Sequence, residues 1–258
     1  MPRVARRIRY GASRGQVADL WLPQATHPPV VLLVHGGFWR AQYTKVLMRP
    51  LARAATERGW AAWNVEYRRV GWGGGGGGWP TTLADVASAV DALVDVEEVD
   101  STRVVACGHS AGGHLALWSA ARHRFPQLSP SGSGHGGVAL RGVVSLAGVV
   151  DLIDADRRGL GGDAVAQLLG GHYPRWPERY RSASPAELLP LGVPQILVHG
   201  ARDTIVPPDV SRRYAEAAGR RGDQVELIEL ETADHRALIA PSRTGDDVLG
   251  AVGRLLED

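Results

Sequence analysis

Residues 103–113, Arg-Val-Val-Ala-Cys-Gly-His-Ser-Ala-Gly-Gly, decide how this chain is read. The stretch opens as an apolar run that ends at Gly108, and from Ala111 it turns into a helical pattern. Between the two, Gly108-His-Ser-Ala-Gly112 spells G-x-S-x-G, a strand-to-helix turn that lifts a serine hydroxyl above a sheet. So sharp a turn forces the serine into a strained conformation that only small neighbours tolerate. Gly108, Gly112 and Ala111 meet that demand. The turn also aims the N–H groups of the helix start toward the hydroxyl, so the Ala111 N–H is a candidate donor to a developing oxyanion. A Gly-Ser turn capping an ordinary helix is the plainer reading, and the apolar strand directly before it argues for the nucleophile.

Outward from this turn, further segments read as strands: Gln16–Trp21, Val30–His35, Ala61–Tyr67, Gly142–Leu146, Gln195–Gly200 and Val225–Leu230. VVLLVH, RVVACG and QILVHG are near-continuous apolar runs, as in parallel strands buried on both faces. Helical spacing covers 45–58, ending at Gly59 as C-cap, and the helix after Thr82-Leu-Ala-Asp85, whose spacing is that of an N-terminal cap. Residues 111–123, 209–219 and 245–256 complete the helices. Strand and helix alternate from residue 30 onward, which predicts an α/β fold: a mostly parallel sheet of about eight strands with helices on both faces. The segments before residue 25 are expected to form an antiparallel edge. One domain over 1–258 is expected, with a small insertion around 154–190. Residues 127–137, small and polar, are expected to be mobile.

Composition bounds the function. The 258 residues are 44% hydrophobic, enough for a core without disulfides or a structural metal. With 29 basic and 27 acidic side chains the net charge is +2, which gives no reason for a nucleic-acid partner. The paired arginines, Arg68–Arg69 among them, read as solvated loops and helix ends. Cys107, the single cysteine, fits a reducing compartment. The basic start MPRVARRIRY lacks an apolar stretch behind it, and the apolar run Val30–Val34 is too short to span a bilayer. A soluble cytoplasmic protein with no membrane partner is expected.

A serine hydroxyl needs an imidazole to take its proton and an acid to orient the imidazole. After an elbow of this kind the acid comes next along the chain, then the histidine. Asp203, in His199-Gly-Ala-Arg-Asp203, sits just past the strand from Gln195, and His235, in Glu231-Thr-Ala-Asp-His235, just past the strand from Val225. Loops at the carboxyl ends of parallel strands converge on one crevice. Asp151, after the strand from Gly142, is the rival acid. Asp234 reads as a loop or capping residue, and His199 as a core histidine. His109 and His114 lie too close to Ser110 to serve as its base, though either is a candidate to line the pocket. His35-Gly-Gly-Phe-Trp39 follows the strand from Val30, and its glycines let the backbone approach a substrate carbonyl. The second oxyanion donor is expected from Gly37 or Phe38, with His35 fixing the loop.

In that order and spacing HGGFW, GHSAGG, HGARDTIVP and ADH resemble the α/β-hydrolase superfamily, from about residue 15 to the C-terminus. The His-Gly-Gly-x-Trp loop is similar to that of its kynurenine-formamidase and small carboxylesterase branch. The segment GHSAGGHLALW also resembles elbows of dipeptidyl-peptidase-like relatives. The resemblance implies hydrolysis of a small-molecule carboxylic ester or amide through an acyl-enzyme, without metal or organic cofactor. It implies Ser110, Asp203 and His235 as the triad and Gly36, Gly37 and Phe38 as the oxyanion loop. An arylformamidase and a peptidase-like amide hydrolase are the alternatives within it, and the large N-terminal propeller typical of oligopeptide-selecting relatives is not expected. The glycine run 73–78 has no counterpart in the family pattern.

Other classes fit less well. Gly71-Trp-Gly-Gly-Gly-Gly76 formally matches G-x-G-x-x-G, but Trp79 and Pro80 separate it from the helix that would cradle a phosphate. Metal-hydrolase patterns such as H-E-x-x-H are missing. A catalytically silent hydrolase fold would ordinarily lack a triad member, and all three are here. Of the eight tryptophans, Trp118 is expected in the core, and Trp39 against substrate. Trp79 and Trp176 are candidates to frame the pocket mouth, which would favour an uncharged or aromatic substrate.

Overall fold

The apolar runs pair into one sheet because each carries side chains for two cores at once. In the strand Pro29–Val34, Val30, Leu32 and Val34 enter one buried cluster while Val31 and Leu33 enter the other. Val104 and Ala106 face the first cluster, and Val105 and Cys107 the second. Alternation on a strand buried on both faces therefore looks like an unbroken apolar run.

The structure, a computed structural model, describes residues 5–128 and 137–257. Most of the stretch expected to be mobile, residues 129–136, lies outside the described residues. In chain order the elements are β1 (Arg6–Arg9), β2 (Val17–Trp21), β3 (Pro29–Val34), α1 (Arg49–Glu57), β4 (Ala61–Val65), α2 (Thr81–Asp91), β5 (Asp100–His109) and α3 (Ala111–Ala120). There follow β6 (Leu140–Leu146), α4 (Leu152–Arg157), α5 (Ala164–Leu169), α6 (Pro177–Ala183), β7 (Gln195–Gly200), α7 (Asp209–Arg220), β8 (Val225–Leu230) and α8 (Pro241–Glu257). The eight strands lie in the order β1-β2-β4-β3-β5-β6-β7-β8. Pairings β1–β2 and β2–β4 are antiparallel and the rest parallel, so the expected antiparallel edge is present. Helices α2, α3 and α7 pack on one face, α1 and α8 on the other. No helix among the described residues is long and apolar enough to cross a membrane.

The carboxyl half of β5, from Val104 to His109, is buried throughout, and so is the helix that follows it. Every residue of α3 is buried, which its small N-terminal residues permit. A β-carbon on Gly112 would fall 2.1 Å from the Val34 carbonyl oxygen. The helix start is thereby pressed against the end of β3, where the His35–Trp39 loop begins. Burial pushes the Cys107 thiol up to about 12, so it is chemically inert beneath the motif.

Two expectations are corrected. Thr82 does not cap α2: the helix begins at Thr81 with Pro80 in the capping position. The Thr82 hydroxyl instead donates to the Arg68 carbonyl (2.7 Å) and accepts from the Gly78 N–H (2.9 Å), and Asp85 is taken by the Arg68 guanidinium (2.6 Å). Arg68 is half-buried on Asp85, and Arg69 is likewise not a solvated loop residue. Arg69 is buried, 3.4 Å from Glu66, and donates to the Ala41 carbonyl.

The glycine run acquires a structural account here. It folds back over Arg68 and Arg69: Arg69 N–H donates to the Gly74 carbonyl and Gly77 N–H to that of Arg69. A β-carbon on Gly74 would fall 2.1 Å from the Arg69 carbonyl oxygen, whereas one on Gly73 would meet open space. Gly74→Ala is therefore expected to lower stability by about 1–3 kcal/mol through overpacking. Gly73→Ala should cost about 1 kcal/mol, for its left-handed backbone alone. Urea unfolding of both variants checks this, and equal losses would contradict the close-approach account.

Candidate active site

Ser110 stands between β5 and α3 with φ 56° and ψ −118°, a left-side conformation that serine rarely adopts. Backbone bonds hold it there: its N–H donates to the Leu146 carbonyl (2.8 Å), and its own carbonyl accepts from the N–H of His114 (3.1 Å). Its side chain caps nothing in the helix. Ala111, next in sequence, opens α3, so its N–H belongs to the first helical turn, which has no partner within the helix.

Against the turn lies the loop after β3. A β-carbon on Gly36 would fall 2.7 Å from the His109 carbonyl oxygen and 3.0 Å from the Ser110 Cβ, so only glycine permits this approach. Gly37, Phe38 and Trp39 follow with φ of 110°, 51° and 56°. Three consecutive left-handed residues need firm support. It comes from Arg40 N–H to Gly37 O (3.0 Å), Val70 N–H to Trp39 O (2.8 Å) and the Trp39 indole N–H to His114 Nδ1 (3.2 Å). Beneath them His35 is buried, stacked on Tyr67 at 4.3 Å, with its ring nitrogens 2.8 Å from the Gly36 carbonyl and 2.9 Å from Glu66. The Tyr67 hydroxyl donates to the His35 carbonyl (2.9 Å). A Gly36→Ala variant should fold but lose about 10²-fold in kcat, the scale of one lost oxyanion donor. Comparing kcat with KM on a short ester checks it, and a variant altered only in KM would contradict it.

The base and acid candidates meet at the ends of β7 and β8. His235 Nδ1 lies 2.6 Å from Asp203 Oδ2, both groups being buried. Asp203 Oδ1 accepts from the N–H groups of Ile205 (2.8 Å) and Val206 (2.9 Å), and His199 Nε2 lies 3.3 Å from Oδ2. Burial alone would raise the Asp203 carboxyl, but hydrogen bonds with His199 and His235 and from the Val206 N–H hold it well below the usual carboxylate range. The His235 carbonyl lies 2.9 Å from His109 Nε2, and the two rings are 4.5 Å apart. The loop bearing His235 is thus tied to the residue directly before Ser110.

The remaining candidates separate cleanly. Asp151 accepts from the Asp154 N–H (3.0 Å) as the N-cap of α4. Asp234 accepts from the Arg236 and Ala237 N–H groups, the capping role expected. His114 is buried between Trp39 and the Ala183 carbonyl, so it does not line a pocket. Trp39 corrects an expectation: at 0% exposure, with its N–H on His114, it supports the loop from beneath and does not touch substrate. Trp79 is half-buried against the core, its N–H donating to the Leu168 carbonyl of α5. Helices α4–α6 form the insertion between β6 and β7. Arg40 ties it to the His35–Trp39 loop, donating to the Gly161 carbonyl (2.8 Å) and Gln167 (3.2 Å). Sequence reasoning did not find Glu66 and Tyr67 as supports. Their one signal is a Glu-Tyr pair closing an apolar strand.

With this strand order and this turn, the molecule has the α/β-hydrolase fold. Within that class the chain belongs to the BD-FAE family, whose model matches residues 18–217. It is 29% identical over 254 residues to the esterase LipC of Mycobacterium tuberculosis, covering 93% of this chain and 62% of that one. It is 27% identical to the probable isoprenylcysteine alpha-carbonyl methylesterase ICMEL1 of Arabidopsis thaliana, covering 100% of this chain and 55% of the relative. It therefore spans about three fifths of the length of the curated relatives it matches. Among solved structures, a truncated carbohydrate esterase from gut microbiota superposes with a TM-score of 0.79 at 18% identity, over 100% of this chain and 97% of that one.

Proposed function

We propose that this chain hydrolyses carboxylic esters of small molecules through a covalent acyl-enzyme on Ser110. The observation that carries the proposal is the strained serine beside a loop whose histidine is bonded to a buried, ionised aspartate. In this reading His235 takes the hydroxyl proton as Ser110 Oγ attacks the ester carbonyl. The N–H of Ala111, with that of Gly37 or Phe38, receives the negative charge that develops on the carbonyl oxygen. Collapse expels the alcohol, which leaves with the proton from His235. Water, deprotonated by the same histidine, then releases the acid. Asp203 keeps the proton on the Nδ1 side, so that the Nε2 lone pair is the basic one.

The relatives' names, an esterase and a methylesterase, support an ester as the bond cleaved, and the bond class is what transfers. A formamide would use the same groups. N-formylkynurenine is expected to turn over more slowly than a short nitrophenyl ester.

Methanol partitioning tests the acyl-enzyme. Acetates of several phenols, hydrolysed in the presence of methanol, should give one ratio of acetate to methyl acetate whatever the leaving phenol. A ratio that changes with the phenol would mean direct attack by water, and no turnover of any ester would overturn the proposal.

A further inference from the structure

We infer that His109 is a positioning residue that holds His235 in register with Ser110, an inference resting on the hydrolase reading above. His109 ends β5 and fills the variable position of the G-x-S-x-G turn. Its Nε2 lies 2.9 Å from the His235 carbonyl oxygen, which can only accept, so Nε2 carries a proton and donates it. Its ring lies 4.5 Å from that of His235 at 49°, and its Nδ1 lies close to Gly36, where a β-carbon would come within 3.1 Å of it. One side chain thus spans from the base loop to the oxyanion loop and is covalently next to the nucleophile.

The two tethers on His235 divide the work. Asp203 holds Nδ1 and fixes the rotation of the ring. His109 holds the backbone carbonyl and fixes where the ring is anchored. Burial lowers His109 to about 3, with the neighbouring His235 acting in the same direction. An uncharged ring there gives His235 a donor without setting a second cation beside the imidazolium that must form on it. A misplacement near 1 Å can cost about 10²-fold in rate, so an anchor of this kind has a kinetic signature.

The test compares His109→Phe, His109→Asn and His109→Gln on a short nitrophenyl ester, with rates normalised to sites titrated by a fluorophosphonate. Phe keeps ring volume without a donor, Asn has a donor that stops short, and Gln can reach the carbonyl. Phe and Asn should lose about 10- to 10²-fold in kcat with KM within about twofold, and Gln should stay within about threefold of wild type. In an Asp203→Asn background the Phe substitution should cost much less, because both residues act through His235. Asn is the smaller replacement and keeps the test open should Phe not fold. Equal losses for Gln, Phe and Asn, or no loss in any, would overturn the inference while an active wild type left the hydrolase reading standing. A wild type that neither hydrolyses nor labels would remove both.

Discussion

Alanine at position 110 is expected to cut kcat for a short nitrophenyl ester by about 10⁵- to 10⁶-fold, the scale seen when a triad nucleophile is removed. The fold should barely register the change. Ser110 Oγ caps no helix N–H, and alanine has the same β-carbon, so the strain at φ 56° is neither relieved nor increased. The thermal midpoint should stay within about 2 °C, below the shift expected from 1 kcal/mol in a domain of this size. Residual catalysis over water should persist from the N–H donors at Ala111 and the Gly37–Phe38 loop, as it does when a triad is dismantled. Combining the variant with His235→Ala should cost little more than either alone, because the base has no function without its nucleophile. A variant retaining a few per cent of wild-type activity would show that another group performs the attack.

Asp203→Asn should be the next most damaging change, at about 10⁴-fold in kcat. The reason lies in how the two carboxylate oxygens are used. Oδ1 accepts from the N–H groups of Ile205 and Val206, so the asparagine oxygen must take that place. Its NH₂ then occupies the position of Oδ2, facing His235 Nδ1. A donor there forces Nδ1 to accept and moves the imidazole proton to Nε2, the nitrogen that should receive the serine proton. The variant should fold, bind ester with little change in KM, and fail in chemistry. Its stability carries a second signature. The Asp203 carboxyl is held below its unfolded value, so it contributes stability that is full above the unfolded pKa and is lost as pH falls through the folded one. Asparagine has no such contribution, and the stability gap between wild type and variant should narrow as pH drops from about 6 toward 2. Urea midpoints across that range measure it, and a gap independent of pH would contradict the assigned ionisation.

The sheet was legible because its central strands serve two cores and therefore spell unbroken apolar runs. Strand β1 was not, since RRIR is a charged, mostly exposed edge whose pairing is fixed only by β2. The pairing of His235 with Asp203 was legible in order along the chain, since both follow strand ends on neighbouring strands β7 and β8. What supports them was not, because those partners come from remote segments. Trp39 reads as a substrate contact beside glycines until His114, on α3, is seen to accept its N–H. His199 reads as a core histidine, which it is, yet its ring also stands beside Asp203. Thr82 has the spacing of a cap, but the glycine loop draws its hydroxyl to Arg68 and Gly78. Local pattern names a residue's type of job, and long-range hydrogen bonds decide which job it takes.

The claim that Ser110 is an activated nucleophile is tested most directly by treating wild type and Ser110→Ala with a fluorophosphonate and weighing the intact proteins. The account predicts a single covalent adduct on wild type and none on the variant. An unmodified, folded wild type would contradict it, as would an adduct that persists when Ser110 is gone.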